Sequence, residues 1–236
     1  MIKVDLHIHT SEDPEDGLRY PATSIIDKAV ELGFGAIAIT LHGRVLEDER
    51  VFAYAQRKGL LLIHGVEWRS DHGDVLLYNV TQRELERLRS LADLRAFRRD
   101  RGDDLLVIAA HPYFFRHSLN CHLIRNLDLF DAVEYCHLHF PWLNLNRRGV
   151  RIAEQHGKAV VATSDAHNLW MFGRHYTLVD AAPTQTSIFR AIRERRVQLH
   201  SPHVSIWDCL RMIVFDPILE RSPGKTVESF ANQPAK

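Results

Sequence analysis

Val4-Asp5-Leu6-His7-Ile8-His9-Thr10 opens the chain with two histidines one residue apart, set between the apolar residues Val4, Leu6 and Ile8. Side chains alternate across an extended strand, so His7 and His9 share one face while the three aliphatic residues share the other. The aliphatic face belongs to a core, and two ligands converge on the imidazole face without distorting the backbone. Such a pair also arises by chance. What separates a metal pair from coincidence is the rest of the chain.

Short apolar runs alternate with amphipathic helical segments through residue 200, the pattern of βα units around a mainly parallel sheet. Residues 36–40, 60–67, 105–110, 132–136 and 159–163 continue the strand series, 75–80 is an additional strand, and 176–179 is the last. Helices between them stop at Gly33, Gly59, Gly102 and Gly157. Thr81 with Glu84 has capping-box spacing, and Leu85, Leu88, Leu91, Leu94 and Phe97 predict one helix running to Gly102. The last barrel helix falls at 186–195. A chain of 236 residues matches a barrel domain of about 250 residues. The expected division is one domain over 1–200 and a C-terminal appendage over 201–236, with a helix at 205–219 and a disordered polar tail at 222–236.

Lys plus Arg and Asp plus Glu balance at 30 each, so net charge gives no sign of nucleic acid or an anionic membrane, although a neutral total can conceal a local basic patch. Cys121, Cys136 and Cys209 form no paired framework and suit a reducing compartment. No 18-residue apolar run occurs, and Met1 leads directly into the first strand without a secretion signal, so a cytoplasmic protein is expected.

The strand ends carry the chemistry. His7 and His9, His42, Glu67, His111, and Asp165 with His167 stand at the C-terminal ends of five strands, the rim where parallel-strand barrels place their sites. Any one of these histidines alone reads as well as a hydrogen-bonded loop residue. Seven ionisable groups gathered together would be costly to bury unless paired or bound to metal. Imidazole and carboxylate without thiolate suit zinc, manganese or iron, and a bridging carboxylate lets one set hold more than one ion.

Five segments, taken in order, are similar to the signature motifs of the polymerase and histidinol phosphatase (PHP) family: 5–10 (Asp-Leu-His-Ile-His-Thr), 39–43 (Ile-Thr-Leu-His-Gly), 65–67 (Gly-Val-Glu), 110–112 (Ala-His-Pro) and 164–167 (Ser-Asp-Ala-His). The resemblance covers about residues 1–200, and 173–197 resembles the end segment of stand-alone members. It implies a distorted seven-stranded βα barrel, TIM-barrel-like, with two or three divalent ions, in a phosphoesterase that attacks a small phosphorylated substrate with a metal-bridging hydroxide. Carried over, His7, His9, Glu67 and Asp165 hold one ion, Glu67 bridges to a second shared with His111, and His42 with His167 holds a third. Asp16 is chosen as the first-loop ligand of the third ion, with Asp13 and Glu15 as rivals.

There are departures from the family pattern. Leu41 stands where the family has an aspartate before His42, which removes a carboxylate that would fix the His42 tautomer. Only His72 or Asp74 is near the place of a further ligand for the second ion. Cys136 or His137 follows a strand that ends near the site. Arg174 is a candidate to bind phosphate, and Arg116 and Arg44 are weaker ones. His137 and His139 are read as pocket wall, and His117, His122, His156, His175, His200 and His203 as surface or satisfied loop residues. The alternatives are an amide or ring hydrolase on the same centre, and an inactive metal-binding module. Nucleotide-triphosphate and hydride chemistry are disfavoured because no P-loop or dinucleotide fingerprint occurs.

Overall fold

Nine strands form one sheet in a computed structural model that describes residues 1–114 and 117–211. In chain order they are β1 (Ile2–Asp5), β2 (Ala36–Ile39), β3 (Leu61–Arg69), β4 (Asp74–Tyr78), β5 (Leu106–Ala109), β6 (Ala132–Tyr135), β7 (Ala159–Ala162), β8 (Tyr176–Val179) and β9 (Val197–His200). The sheet runs β7-β6-β5-β4-β3-β2-β1-β8-β9. Pairing is parallel for β1–β2–β3 and for β5–β6–β7. β4 joins these two blocks antiparallel to both neighbours, and β8 lies antiparallel between β1 and β9. The sheet therefore has two more strands than the family resemblance implies, and β9 follows the strand expected to be last. The barrel is nearly closed. Across the gap between β7 and β8, the Thr177 hydroxyl accepts from the Ala162 amide at 2.9 Å and donates to the Ala162 carbonyl at 2.8 Å.

Alternation along β4 shows how the two cores are divided. Leu76 and Tyr78 face inward with Val4, Leu6, Ile63 and Ile108, while Val75 and Leu77 face the helical layer. The inner core is plugged by the helix Gln185–Arg193, whose Ile188, Phe189 and Ile192 are fully buried against it. Gly65 makes room for this interior, because a Cβ there would lie 2.9 Å from Thr40 Cγ2 and 3.1 Å from the Tyr78 ring. Tyr78 then spans the barrel and donates its hydroxyl to the Leu6 carbonyl at 2.8 Å.

The single helix expected over 81–102 is two. A short turn at Gln82–Leu85 ends early, and a second helix, Leu91–Arg101, starts afresh at Ser90. The Ser90 hydroxyl accepts the Asp93 amide while the Asp93 carboxylate accepts the Ser90 amide, a reciprocal cap that outcompetes helix continuation. Leu85, Leu88, Leu91 and Leu94 are all buried, but a strict spacing of three drifts off a 3.6-residue face, which the break corrects.

Residues 1–203 form one compact unit. A second begins at Val204, and its described part holds the helix Ile206–Leu210, capped by Ser205 and Asp208. The rest of the expected helix and the polar tail lie outside the described residues. No helix among the described residues is long and apolar enough to cross a membrane.

Candidate metal centre

The His7–His9 segment continues beyond β1 as extended chain. Ile8 bridges Ala166, its carbonyl accepts the Thr40 amide at 2.8 Å, and the His9 amide donates to Ala166 at 3.1 Å. That path lies between the ends of β2 and β7 and aims both imidazoles into the barrel mouth, where both are wholly buried.

Each ring is oriented from behind. His7 Nδ1 is 2.7 Å from Glu134 Oε1, and His9 Nδ1 is 2.9 Å from Asp13 Oδ2. A carboxylate only accepts, so both histidines carry a proton on Nδ1 and turn Nε2 inward, where it is the nitrogen left to bind an ion. The two Nε2 atoms are 3.1 Å apart. Glu67 Oε2 lies 3.3 Å from each, and Asp165 Oδ1 lies 3.4 Å from each. Four lone-pair donors at these separations repel one another unless a cation or shared protons stand among them. Imidazole nitrogen and carboxylate oxygen are donor types that zinc binds at about 2.0 Å. The donor set therefore fits a divalent ion.

Glu67 reaches in two directions. Its Oε2 is also 3.1 Å from His42 Nε2, while Oε1 is 2.9 Å from His111 Nε2. Glu67, Asp74 and His111 form a second group able to hold an ion, which singles out Asp74 rather than the exposed His72, whose ring stacks on His122. A third group comprises His9, Asp13, Asp16 and His42. Asp16 Oδ2 lies 3.2 to 3.5 Å from ring nitrogens of His167, His42 and His9 without the geometry of a hydrogen bond to any. Glu15, the other rival in the first loop, is 3.4 Å from Arg69 instead.

The role left open by Leu41 is filled from elsewhere in the chain. Asp13 Oδ2 accepts from His42 Nδ1 at 3.1 Å and from its amide at 2.8 Å, so the tautomer is fixed by the first loop. Glu134 went unrecognised as a participant, although its place near the end of β6 was a usable signal. It also accepts from the Thr163 hydroxyl and the His111 amide. Two residues of the cluster have backbone angles in the left-handed region, Asp165 at φ 44° and His111 at φ 23°. Strain of this kind persists where the surroundings fix a side chain's aim.

Burial disfavours charge on His7, His42, His111 and Glu67, yet mutual attraction outweighs it there, whereas burial and the Glu67 carboxylate push the Asp74 carboxyl up. Asp165, Glu134 and Glu67 hold the His7 pKa well above the usual imidazole value, while His7 and His111 hold Glu67 well below the carboxylate range. Asp13 and Asp16 push His42 up to about 10, and Glu67 and Glu134 push His111 up to about 9, both against desolvation. Protons thus occupy the imidazoles until a stronger cation displaces them.

Among the other candidates, Arg174 is exposed, its guanidinium 5.8 Å from the centre of the Trp170 ring. Arg116 lies outside the described residues. Burial pushes the Cys136 thiol up, and the Cys136 amide and carbonyl are engaged by Asn146. His139 is buried, in keeping with a wall residue, and His175 is a buried, satisfied residue rather than a surface one; each bonds the Ser201 hydroxyl.

A model of the PHP-associated segment matches residues 144–197. The PolC-type DNA polymerase III of Halalkalibacterium halodurans is 36% identical over 78 residues, 33% of this chain but only 5% of the polymerase. The fold is similar to a two-domain protein from Bacteroides vulgatus containing a predicted PHP-like metal-dependent phosphoesterase. That match has a TM-score of 0.67 at 20% identity and covers 85% of this chain and 64% of the other. It is also similar to the lesion-specific endonuclease Q of Pyrococcus furiosus, with a TM-score of 0.57 at 16% identity, covering 84% of this chain and 57% of that one. The motif order along the chain, the barrel and the match to the PHP-associated segment agree, and together they make this chain similar to PHP proteins.

Proposed function

We propose that this chain is a metal-dependent phosphoesterase acting on a small phosphorylated substrate. The observation that carries the proposal is the convergence of His7 Nε2, His9 Nε2, Glu67 Oε2 and Asp165 Oδ1 at 3.1 to 3.4 Å, with both imidazole tautomers fixed from behind. These four residues would hold one ion. Glu67, Asp74 and His111 would hold a second, and Asp16, His42 and His167 a third, with Asp13 as the residue that orients His9 and His42. Divalent ions bound there would polarise a phosphoryl oxygen and acidify water near neutral pH. Glu134 keeps the His7 lone pair facing inward, and the burial of His7, His9 and Glu67 excludes bulk water, so charges in the cup act at short range. Arg174, which is exposed, would meet an outer phosphate oxygen, for which a guanidinium fork is suited.

Metal content per chain, measured with a phosphomonoester and phosphodiester panel, tests the assignment. Two or three ions and phosphate release are expected. His7→Ala or Asp165→Ala should lower kcat/KM by about a thousandfold or more and reduce metal content while the fold persists; undiminished turnover in either variant would refute it.

A nucleic-acid end is a second reading, favoured by one feature. Trp142 is 70% exposed, and its ring stacks on Phe140 at 5.0 Å, on the loop that follows β6. An exposed indole of this kind suits a nucleobase. Preferential cleavage of oligonucleotides over sugar phosphates, with a several-fold loss in Trp142→Ala, would support it.

A further inference from the structure

Asp165 has two oxygens with different neighbours. Oδ1 faces His7 and His9, while Oδ2 lies 4.0 Å from His137 Nδ1. That nitrogen is buried and has no hydrogen-bond partner. His137 belongs to none of the three groups of candidate metal ligands found among the described residues.

The segment is tied through its backbone and the ring packs on a neighbour. The His139 amide donates to the His137 carbonyl at 3.0 Å. The His175 ring meets the His137 ring edge to face with centroids 5.8 Å apart, and His175 is itself tied through Nδ1 to the Ser201 hydroxyl at 2.9 Å. Ser201 also meets His139 Nε2 at 3.1 Å, and His139 Nδ1 lies 2.9 Å from His203 Nδ1. Segments after β6, before β8 and after β9 therefore combine to fix one imidazole beside the candidate centre. A buried ring nitrogen that is fixed in place and unmatched within the protein calls for a partner from outside it. Beside a cation cup, and next to a carboxylate that already faces that cup, the partner is an oxygen of the bound anion.

We propose that His137 contacts substrate: its Nδ1–H donates to a phosphoryl oxygen seated beside Asp165, without ligating an ion. This rests on the phosphoesterase proposal above. His175 and Ser201 are positioning residues for that contact.

The test uses the full chain loaded with Mn²⁺ and two variants. His137→Phe keeps a ring against His175 and lacks the nitrogen; His137→Asn keeps a donor near the same place. Metal per chain, melting temperature, calorimetric affinity for inorganic phosphate, and kcat/KM on the best ester are measured. Unchanged metal content is expected in both. Phosphate affinity and kcat/KM should fall about tenfold in His137→Phe, the effect of losing one hydrogen bond to a charged group, and recover at least partly in His137→Asn. Should His137→Phe fail to fold, His137→Ala replaces it in the same comparison. Phosphate affinity and turnover within twofold of wild type in the nitrogen-free variant would overturn the proposal, as would loss of one ion per chain. A wild type that turns over no ester but binds phosphate in a His137-dependent way would refute the hydrolase reading and leave the contact standing. A wild type that does neither overturns both.

Discussion

An imidazole binds metal through whichever nitrogen its other nitrogen leaves free, so the carboxylates behind the ligands matter as much as the ligands. Glu134→Gln keeps the shape but replaces a charged acceptor by an amide that can flip, and should weaken metal binding about 10- to 100-fold, read from metal titration of the apo-protein. The ring protons also set a pH dependence. His42, pushed up to about 10, and His111, up to about 9, remain protonated across the neutral range until an ion displaces those protons. Metal affinity should therefore fall steadily from pH 8 to pH 6, and binding should release protons measurable by calorimetry in buffers of different ionisation enthalpy; pH-independent affinity would contradict this. His7, His9, Glu67 and Asp165 were legible in the sequence because strand alternation and strand ends are local rules. Asp13 stayed ambiguous because its service to His42, 29 residues away, depends on a loop path that no spacing encodes.

One buried carboxylate ties several elements together beneath the sheet. Asp131, immediately before β6, accepts from Arg98 of the helix Leu91–Arg101, from Arg193 of the helix Gln185–Arg193 and from the Val107 amide of β5. Burial raises its pKa, but the two guanidinium groups outweigh that and hold it below the usual range. With the folded pKa below an unfolded value of about 3.9, its contribution is complete above that pH and is lost as pH falls through the folded value. Asp131→Asn should cost roughly 3 kcal/mol at pH 7, and the gap between variant and wild type should shrink below about pH 4; parallel acid-unfolding curves would speak against it. Gly65→Ala tests the barrel interior in the same way. It should destabilise by about 1–3 kcal/mol through overpacking against Thr40 and Tyr78, read from denaturant unfolding. At this level the sequence located nearly every strand of the barrel but missed β9, whose Gln198, Leu199 and His200 are exposed and leave no apolar run to recognise. It also merged two helices, because leucines spaced by three satisfy a helical pattern up to the point where Ser90 and Asp93 interrupt it.

For the molecule as a whole, the proposed ions are structural as well as chemical, since the groups that would hold them come from the ends of strands dispersed around the barrel. Binding to the folded state alone adds about 2.7 kcal/mol at a hundredfold excess over Kd, so chelation should lower the melting temperature by roughly 5–10 °C, and Mn²⁺ or Zn²⁺ should restore it. The order of motifs along the chain made the family resemblance legible, because each motif sits at a rim that the topology repeats. Which strand would complete the circle was not legible, and it proves to be a side chain rather than a backbone ladder that joins β7 to β8. Thr177 is a single stitch in that wall. Where other neighbours are laced by several amide pairs, here the Ala162 N–H is guarded by one hydroxyl, three residues before Asp165. Thr177→Val, nearly the same in volume, would unlace this seam, and deuterium uptake at Ala162 should quicken first, loosening the wall from which Asp165 and His167 hang.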